Sequence, residues 1–242
     1  MQLFYTPYHA RVGDVIPYYE NGEFKLFYLK NWNPYFGSDK TYGWHLLTTK
    51  DLIHYESETA TGILGGTGCI MKVEGLYHLY YCVFEDQPQR QYVCHATSTD
   101  LTNWTKYPDE TFGPDESIYL LTDWRDPHVI WNEEEKCWWM ILCAQNQGNT
   151  KRRGCVGLCK SADLHHWTCC EPLYAPQSSM SAYECPDLFY MNGWWYLVFS
   201  QFTDRFQTLY RMSRSCNGPW IRPKTDSFDG RAFYAAKTCS DG

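Results

Sequence analysis

Three copies of one short pattern constrain this chain more than any other feature. They are Thr49-Lys50-Asp51-Leu52-Ile53-His54-Tyr55, Ser98-Thr99-Asp100-Leu101-Thr102-Asn103-Trp104 and Ser161-Ala162-Asp163-Leu164-His165-His166-Trp167. Each reads small polar residue, any residue, Asp, Leu, two residues, aromatic. Ser213-Arg214-Ser215-Cys216-Asn217-Gly218-Pro219-Trp220 is a decayed fourth copy. A pattern that returns at a loose interval near the roughly 50 residues of a propeller blade marks a repeated supersecondary unit. Within it, Asp51, Asp100 and Asp163 are expected to be turn and packing residues at the outer edge of each unit.

Upstream of each copy lies an aromatic strand that follows a turn signal. Asn21-Gly22 precedes Phe24–Leu29, Glu74-Gly75 precedes Tyr77–Tyr81, Glu133–Lys136 precedes Trp138–Leu142, and Asn192-Gly193 precedes Trp194–Phe199. Asn-Gly and acidic-Gly pairs supply the positive-φ residues of tight hairpins. Each unit therefore reads as strand, hairpin, aromatic strand, third strand and closing segment. Such units cannot bury both faces alone and must stack side by side, which is the build of an all-β propeller. The expected units run over about 8–60, 61–115, 116–175 and 176–225. A fifth begins at Phe228–Ala236 and has no room for its remaining strands within 242 residues, so either the chain is a truncated piece of a longer protein or the ring closes in some other way. An open ring leaves a sheet edge exposed, and such a piece is expected to aggregate or dimerise. No helix pattern, Gly-rich phosphate loop, HExxH or G-x-S-x-G element is present.

Composition narrows the function. An aromatic share of 18% suits pleated, half-buried surfaces and sugar-stacking sites. The formal net charge of -7, with no basic run beyond Lys151-Arg152-Arg153, argues against a nucleic-acid partner. No apolar run approaches the ~20 residues of a membrane span. The amino terminus lacks the basic start and apolar core of a secretory signal, so the expected location is the cytoplasm unless an upstream segment has been removed. The 12 cysteines are scattered without paired CxxC spacing and read as reduced, buried thiols. His54, His165 and His166 read as surface residues rather than metal ligands, and His128 as a core histidine with its hydrogen bonds satisfied. No metal or other cofactor is expected.

Three acids stand at the starts of would-be inner strands: Asp14 before Val15-Ile16-Pro17, Asp126 in Trp124-Arg125-Asp126-Pro127-His128, and Glu184 in Tyr183-Glu184-Cys185-Pro186-Asp187. An aspartate ahead of an apolar run is commonly a turn residue. Glutamate is a poor strand former, so Glu184 beside a buried run needs another reason. Inner strands of a propeller begin at its axis, where the three acids would share one site. Glycosidic cleavage needs a carboxyl that stays protonated and another that stays ionised. Neighbouring charge and an arginine such as Arg125 can separate their pKa values in that way. Tyr18, Tyr19, Trp124 and Tyr183, next to the acids, would offer apolar faces to a sugar ring.

Arg125-Asp126-Pro127 and Glu184-Cys185 resemble the Arg-Asp-Pro and Glu-Cys motifs of glycoside hydrolase family 32, the invertases, levanases and inulinases. The resemblance extends to Trp44 ahead of the first repeat, to Gly66-Thr67-Gly68-Cys69, and to Phe233–Ala236. It implies a five-bladed propeller, here with the fifth blade incomplete, and a retaining β-fructofuranosidase acting on sucrose, fructo-oligosaccharide, levan or inulin. By that likeness Asp14 is the nucleophile, Glu184 the general acid and base, and Asp126 the transition-state stabiliser. Arg125, Trp44, Thr67, Cys69 and Tyr183 would bind substrate. The sequence around Asp14, Arg11-Val12-Gly13-Asp14-Val15-Ile16-Pro17, departs from the family's Trp-x-Asn-Asp-Pro-Asn-Gly. Two other readings stay open: an inverting arabinosidase or xylosidase of the family 43 type, and a carbohydrate-binding propeller without catalysis.

Overall fold

The computed structural model describes residues 5–7, 10–31, 43–56, 58–86, 89–148, 150–180 and 182–241. Parts of the expected first unit, residues 8–9, 32–42 and 57, lie outside these. Among the described residues the fold is all-β, and its one helical element is a 3₁₀ turn at Pro108–Glu110.

Within the described residues, fifteen strands form four antiparallel sheets. The first holds β1 (Val12–Glu20), β2 (Glu23–Lys30), β3 (Gly43–Thr49) and β4 (Thr59–Ala60). The second holds β5 (Gly68–Val73), β6 (Leu76–Asp86), β7 (Gln89–Ser98) and β8 (Thr105–Lys106). The third holds β9 (Tyr119–Asn132), β10 (Cys137–Asn146), β11 (Gly154–Ser161) and β12 (Thr168–Tyr174). The fourth holds β13 (Tyr183–Met191), β14 (Trp194–Gln201) and β15 (Gln207–Ser213), with Ile221 bridging Met212 where a fourth strand would run. Strands follow chain order across every sheet. Four such meanders standing side by side make a β-propeller arrangement.

The hairpin chemistry explains the order. Asn21-Gly22, Glu74-Gly75 and Asn192-Gly193 each place both residues at positive φ, between 49° and 86°, as a two-residue turn matched to strand twist requires.

The repeated motif is a turn that closes on itself. In each copy the leading hydroxyl (Thr49, Ser98, Ser161) accepts from the backbone N–H groups two and three residues on. The aspartate Oδ1 then accepts from the next pair of N–H groups, those two and three residues beyond it. This wrapping forces the leucine to positive φ, 59° at Leu52, 64° at Leu101 and 68° at Leu164. Leu101 and Leu164 are driven into the cores between the first and second sheets and between the second and third, both 4% exposed. Leu52 has no preceding sheet among the described residues and is 47% exposed.

Three cores fill the spaces between the four sheets. Middle strands are covered on both faces, which is why they read as nearly continuous apolar runs such as Met140–Ala144. Trp139 is fully buried between the third and fourth sheets, and Tyr80 between the second and third.

Candidate active site

The first strands of the sheets meet near the centre, and three of them carry the same defect. In β1, Val12 pairs with Lys30 and Val15 with Tyr28, so Gly13 and Asp14 together oppose Leu29. In β9, Arg125 pairs with Cys143 and His128 with Ile141, so Asp126 and Pro127 oppose Leu142. In β13, Glu184 pairs with Ser200 and Asp187 with Val198, so Cys185 and Pro186 oppose Phe199. Each is a β-bulge, which bends the strand and re-aims its side chains. Asp126 and Cys185, the first bulged residues, have φ of 58° and 48°. Pro127 and Pro186 follow where the ladder is interrupted, a place that tolerates a residue without an N–H.

The sequence suggests equivalent positions for the three acids, and here the structure differs. Asp14 is the second residue of its bulge, Asp126 the first, and Glu184 the residue before. The three carboxylates thus reach one cavity from three different steps of a common bend. That cavity has a volume of about 660 Å³, and Asp14, Asp126, Glu184, Arg125 and Thr67 all line it.

Glu184 accepts from Arg125 Nη2 at 2.6 Å and from the hydroxyl of Tyr234. The other arm of the guanidinium, Nη1, reaches Asp123 at 2.5 Å and Gln91 Oε1 at 3.2 Å. Gln91 Oε1 also accepts from the backbone N–H of Trp124 at 2.8 Å, which ties β7 to β9. Asp126, 5% exposed, accepts from the backbone N–H of Cys185 at 2.9 Å. The Cys185 thiol lies 3.7 Å from Asp126 and 3.9 Å from Asp14, between the two carboxylates. The Thr67 hydroxyl donates to Asp14.

Thr67 reaches Asp14 because its neighbours are glycines. A Cβ on Gly68 would stand 1.7 Å from the Tyr80 carbonyl oxygen, and one on Gly65 2.6 Å from that of Cys82. The backbone therefore lies flat against β6 and brings the hydroxyl to the axis.

Burial dominates the electrostatics. It raises the Glu184 pKa above the usual carboxylate value, opposed by Arg125 and reinforced by Asp126 and Asp123. Burial likewise raises Asp14, offset in part by the Thr67 hydrogen bond and by Lys237, while Asp126 pushes it further up. The Cys185 thiol is held far above its ordinary value by burial and by the Asp126 and Asp14 charges, so it stays protonated.

Several expected contacts are not at the cavity. Tyr183 and Trp124 each precede a cavity residue, and strand alternation turns them to the opposite face, into the sheet-to-sheet cores. Trp44 sits on β3, two strands out from the axis, and is buried against the second sheet. Cys69 lies inside the β5 ladder opposite Tyr80 and faces the third sheet. Tyr18 packs edge-on against Tyr77, and Tyr19 against Phe24.

The aromatic lining comes instead from Phe84, Phe202, Phe206 and Tyr234, the last two stacked at 3.9 Å between ring centres. Sequence reading passed over Gln91, Asp123 and these aromatics as site residues. Gln91 carries no signal, standing near the start of β7 after Gln89 and Arg90, whereas Asp123 adjoins the Trp-Arg-Asp-Pro run.

His128 is a core histidine, its Nε2 3.3 Å from the Leu188 carbonyl oxygen and 3.3 Å from Asp187. Asp187 is buried and accepts from the backbone N–H and hydroxyl of Thr238, so it anchors the carboxy-terminal segment. No helix among the described residues is long and apolar enough to cross a membrane.

Known proteins resemble this chain in sequence and in fold. A levanbiose-producing levanase of Bacillus subtilis is 26% identical across 97% of this chain and 45% of its own length. A sucrose-6-phosphate hydrolase of Escherichia coli is 30% identical over 65% of this chain and 34% of its own. The chain thus spans less than half the length of these two relatives. Among solved structures, exo-inulinase from Aspergillus awamori superposes with a TM-score of 0.68 at 17% identity, covering 94% of this chain and 52% of that one, a likeness of fold. The model of the glycosyl hydrolases family 32 N-terminal domain matches residues 16–242, starting two residues after Asp14, and on that match the chain belongs to glycoside hydrolase family 32.

Proposed function

We propose that this chain is the propeller part of a retaining β-fructofuranosidase, with Asp14 as nucleophile, Glu184 as general acid and base, and Asp126 as the residue that holds sugar hydroxyls in the transition state. The observation that carries this reading is the convergence of three acids from three sheets on one cavity, with an arginine on Glu184 and a hydroxyl on Asp14. Sucrose, fructo-oligosaccharide, levan and inulin are the proposed substrate class.

In the first step the Asp14 carboxylate attacks the anomeric carbon of the fructosyl unit, the glycosidic bond breaks, and Glu184 gives its proton to the departing oxygen. In the second, Glu184 takes a proton from water, the water oxygen bonds to the anomeric carbon, and Asp14 leaves. A buried Glu184 with a raised pKa suits the first role. Thr67 and Lys237, which oppose the rise at Asp14, favour its ionised form. Arg125 orients Glu184 and bridges it to Asp123.

The ring is inferred to have five positions, with residues 226–242 opening the fifth beside a fourth unit of about 176–225. In support, Phe233–Lys237 lies near Gly13–Val15 and Pro17 across a second cavity of about 350 Å³. Phe233 and Ala235 are hydrogen-bonded to the fourth sheet.

The test is turnover of sucrose, levan, inulin and aryl arabinosides, with the anomeric configuration of the first-formed product followed by NMR. Fructoside cleavage with retention is expected. Arabinoside cleavage with inversion overturns the assignment.

A further inference from the structure

Away from the central cavity, four residues gather where the second sheet meets the third. His95 on β7 has Nδ1 2.6 Å from Glu110 Oε2. Glu110 belongs to the 3₁₀ turn that follows the second sheet. Its other oxygen, Oε1, lies 2.8 Å from Nδ1 of His165, in the repeated turn of the third sheet. Behind them, His78 Nδ1 lies 3.0 Å from His95 Nε2. The facing atoms of His95, Glu110 and His165 all lie within 4.8 Å of one another.

Three features make this more than a surface ion pair. The His95 ring is fixed, stacked on Tyr80 at 4.5 Å and on Tyr107 at 5.2 Å between ring centres. Burial holds the His95 pKa below its ordinary value, with Glu110 opposing, so its imidazole is neutral and has a lone pair to offer. The site is also graded in exposure, with side chains 3% exposed at His95, 20% at Glu110 and 38% at His165, so an ion has a route in from solvent.

We propose that His95, Glu110 and His165 bind one divalent transition-metal ion of the zinc type, which pins the second sheet to the third. Two imidazoles and a carboxylate are a donor set suited to such ions, and water or a further ligand completes the coordination. A tetrahedral zinc ion with ligands at about 2.0–2.1 Å holds them roughly 3.3 Å apart. The present contacts of 2.6 and 2.8 Å must therefore open by about 0.7 and 0.5 Å, the first by a shift of the Glu110 side chain and the second at the partly exposed His165. On binding, the Nδ1 protons of His95, His165 and His78 each move to Nε2 of the same ring through solvent. His95 Nε2–H then donates to His78 Nδ1, the outer partner that fixes a ligating imidazole. Charges balance without oxidation or reduction, because Glu110 is already ionised, held low against the pull of burial by its two histidine partners.

The test is calorimetric titration of the protein with zinc chloride, alongside the visible absorption of its cobalt complex. The exposed Cys239 is alkylated beforehand. One equivalent should bind, with at least tenfold weaker binding in His165→Ala and in Glu110→Gln. Zinc should raise the Tm of the parent protein and leave that of His165→Ala unchanged. His166→Ala, whose ring pairs with Asp163 in the same turn, should bind like the parent. His165 is partly exposed, so its alanine variant folds and decides the matter if Glu110→Gln does not. Equal zinc affinity in His165→Ala and the parent, or no saturable binding up to about 1 mM zinc, overturns the proposal.

Discussion

Arg125 Nη2 sits 2.6 Å from Glu184 Oε1, joining the third sheet to the fourth across the central cavity. The contact aims Glu184 and opposes the rise in its pKa that burial causes. Arg125→Met should therefore move the alkaline limb of the pH–rate profile upward, because a general acid is lost as pH passes its pKa and the opposing cation is gone. kcat should fall by about 10- to 100-fold through lost positioning. A profile whose alkaline limb stays in place argues that Glu184 is not the acid.

Glu184→Gln should lower kcat by about 10²–10⁴-fold while leaving sugar binding measurable by calorimetry. Asp14→Asn should abolish the trapping of a fructosyl-enzyme by mass spectrometry. Detection of that adduct on another residue moves the nucleophile.

The same carboxylates should cost stability at neutral pH. A group whose folded pKa lies above its unfolded value holds more protons in the native state, so stability falls as pH rises from about 4 through the folded value. Asp14→Asn removes this cost and should raise Tm at pH 7, with the gain vanishing below about pH 4. A lower Tm at pH 7 contradicts the direction of the Asp14 shift.

Gly68→Ala should destabilise by at least about 3 kcal/mol in urea unfolding, because its Cβ meets the Tyr80 carbonyl oxygen and not a side chain that can turn aside. Displacement of Thr67 from Asp14 should lower activity in whatever fraction folds.

Leu101→Ala and Leu164→Ala should each cost about 2–5 kcal/mol, as deletions from a packed core. Leu52→Ala, at the same step of the motif but exposed, should cost under about 0.5 kcal/mol. Equal losses at all three positions contradict the packing assignment.

Much of the fold was written in local chemistry. Asn-Gly turns, aromatic strands and the hydroxyl-x-Asp-Leu turn each encode a structure that closes within a few residues, so the sequence exposes them. Asp126 and Glu184 were legible because the Arg-Asp-Pro and Glu-Cys runs are short and distinctive, whereas Asp14 had only its place ahead of an apolar run to mark it. The bulges were not. An extra residue on one strand shows only against its partner's register, and that pairing is a property of two segments. Trp44, Cys69 and Tyr183 were misplaced for a related reason. Proximity along the chain does not say which face of a strand a side chain takes, and each of the three turned into a core. Gln91 and Tyr234 were missed because each comes to Glu184 or Arg125 only through the assembled ring.

Hanging the acids on bent first strands separates two tasks within one ring. The charged hub depends on strand kinks and on the glycines beneath Thr67, which leave little latitude for change. Phe84, Phe202 and Phe206 border the same hollow, Phe206 stacked on the Tyr234 ring whose hydroxyl reaches Glu184. The phenylalanine rim therefore sets the shape of the opening, and the kinked strands below it set where the charges point.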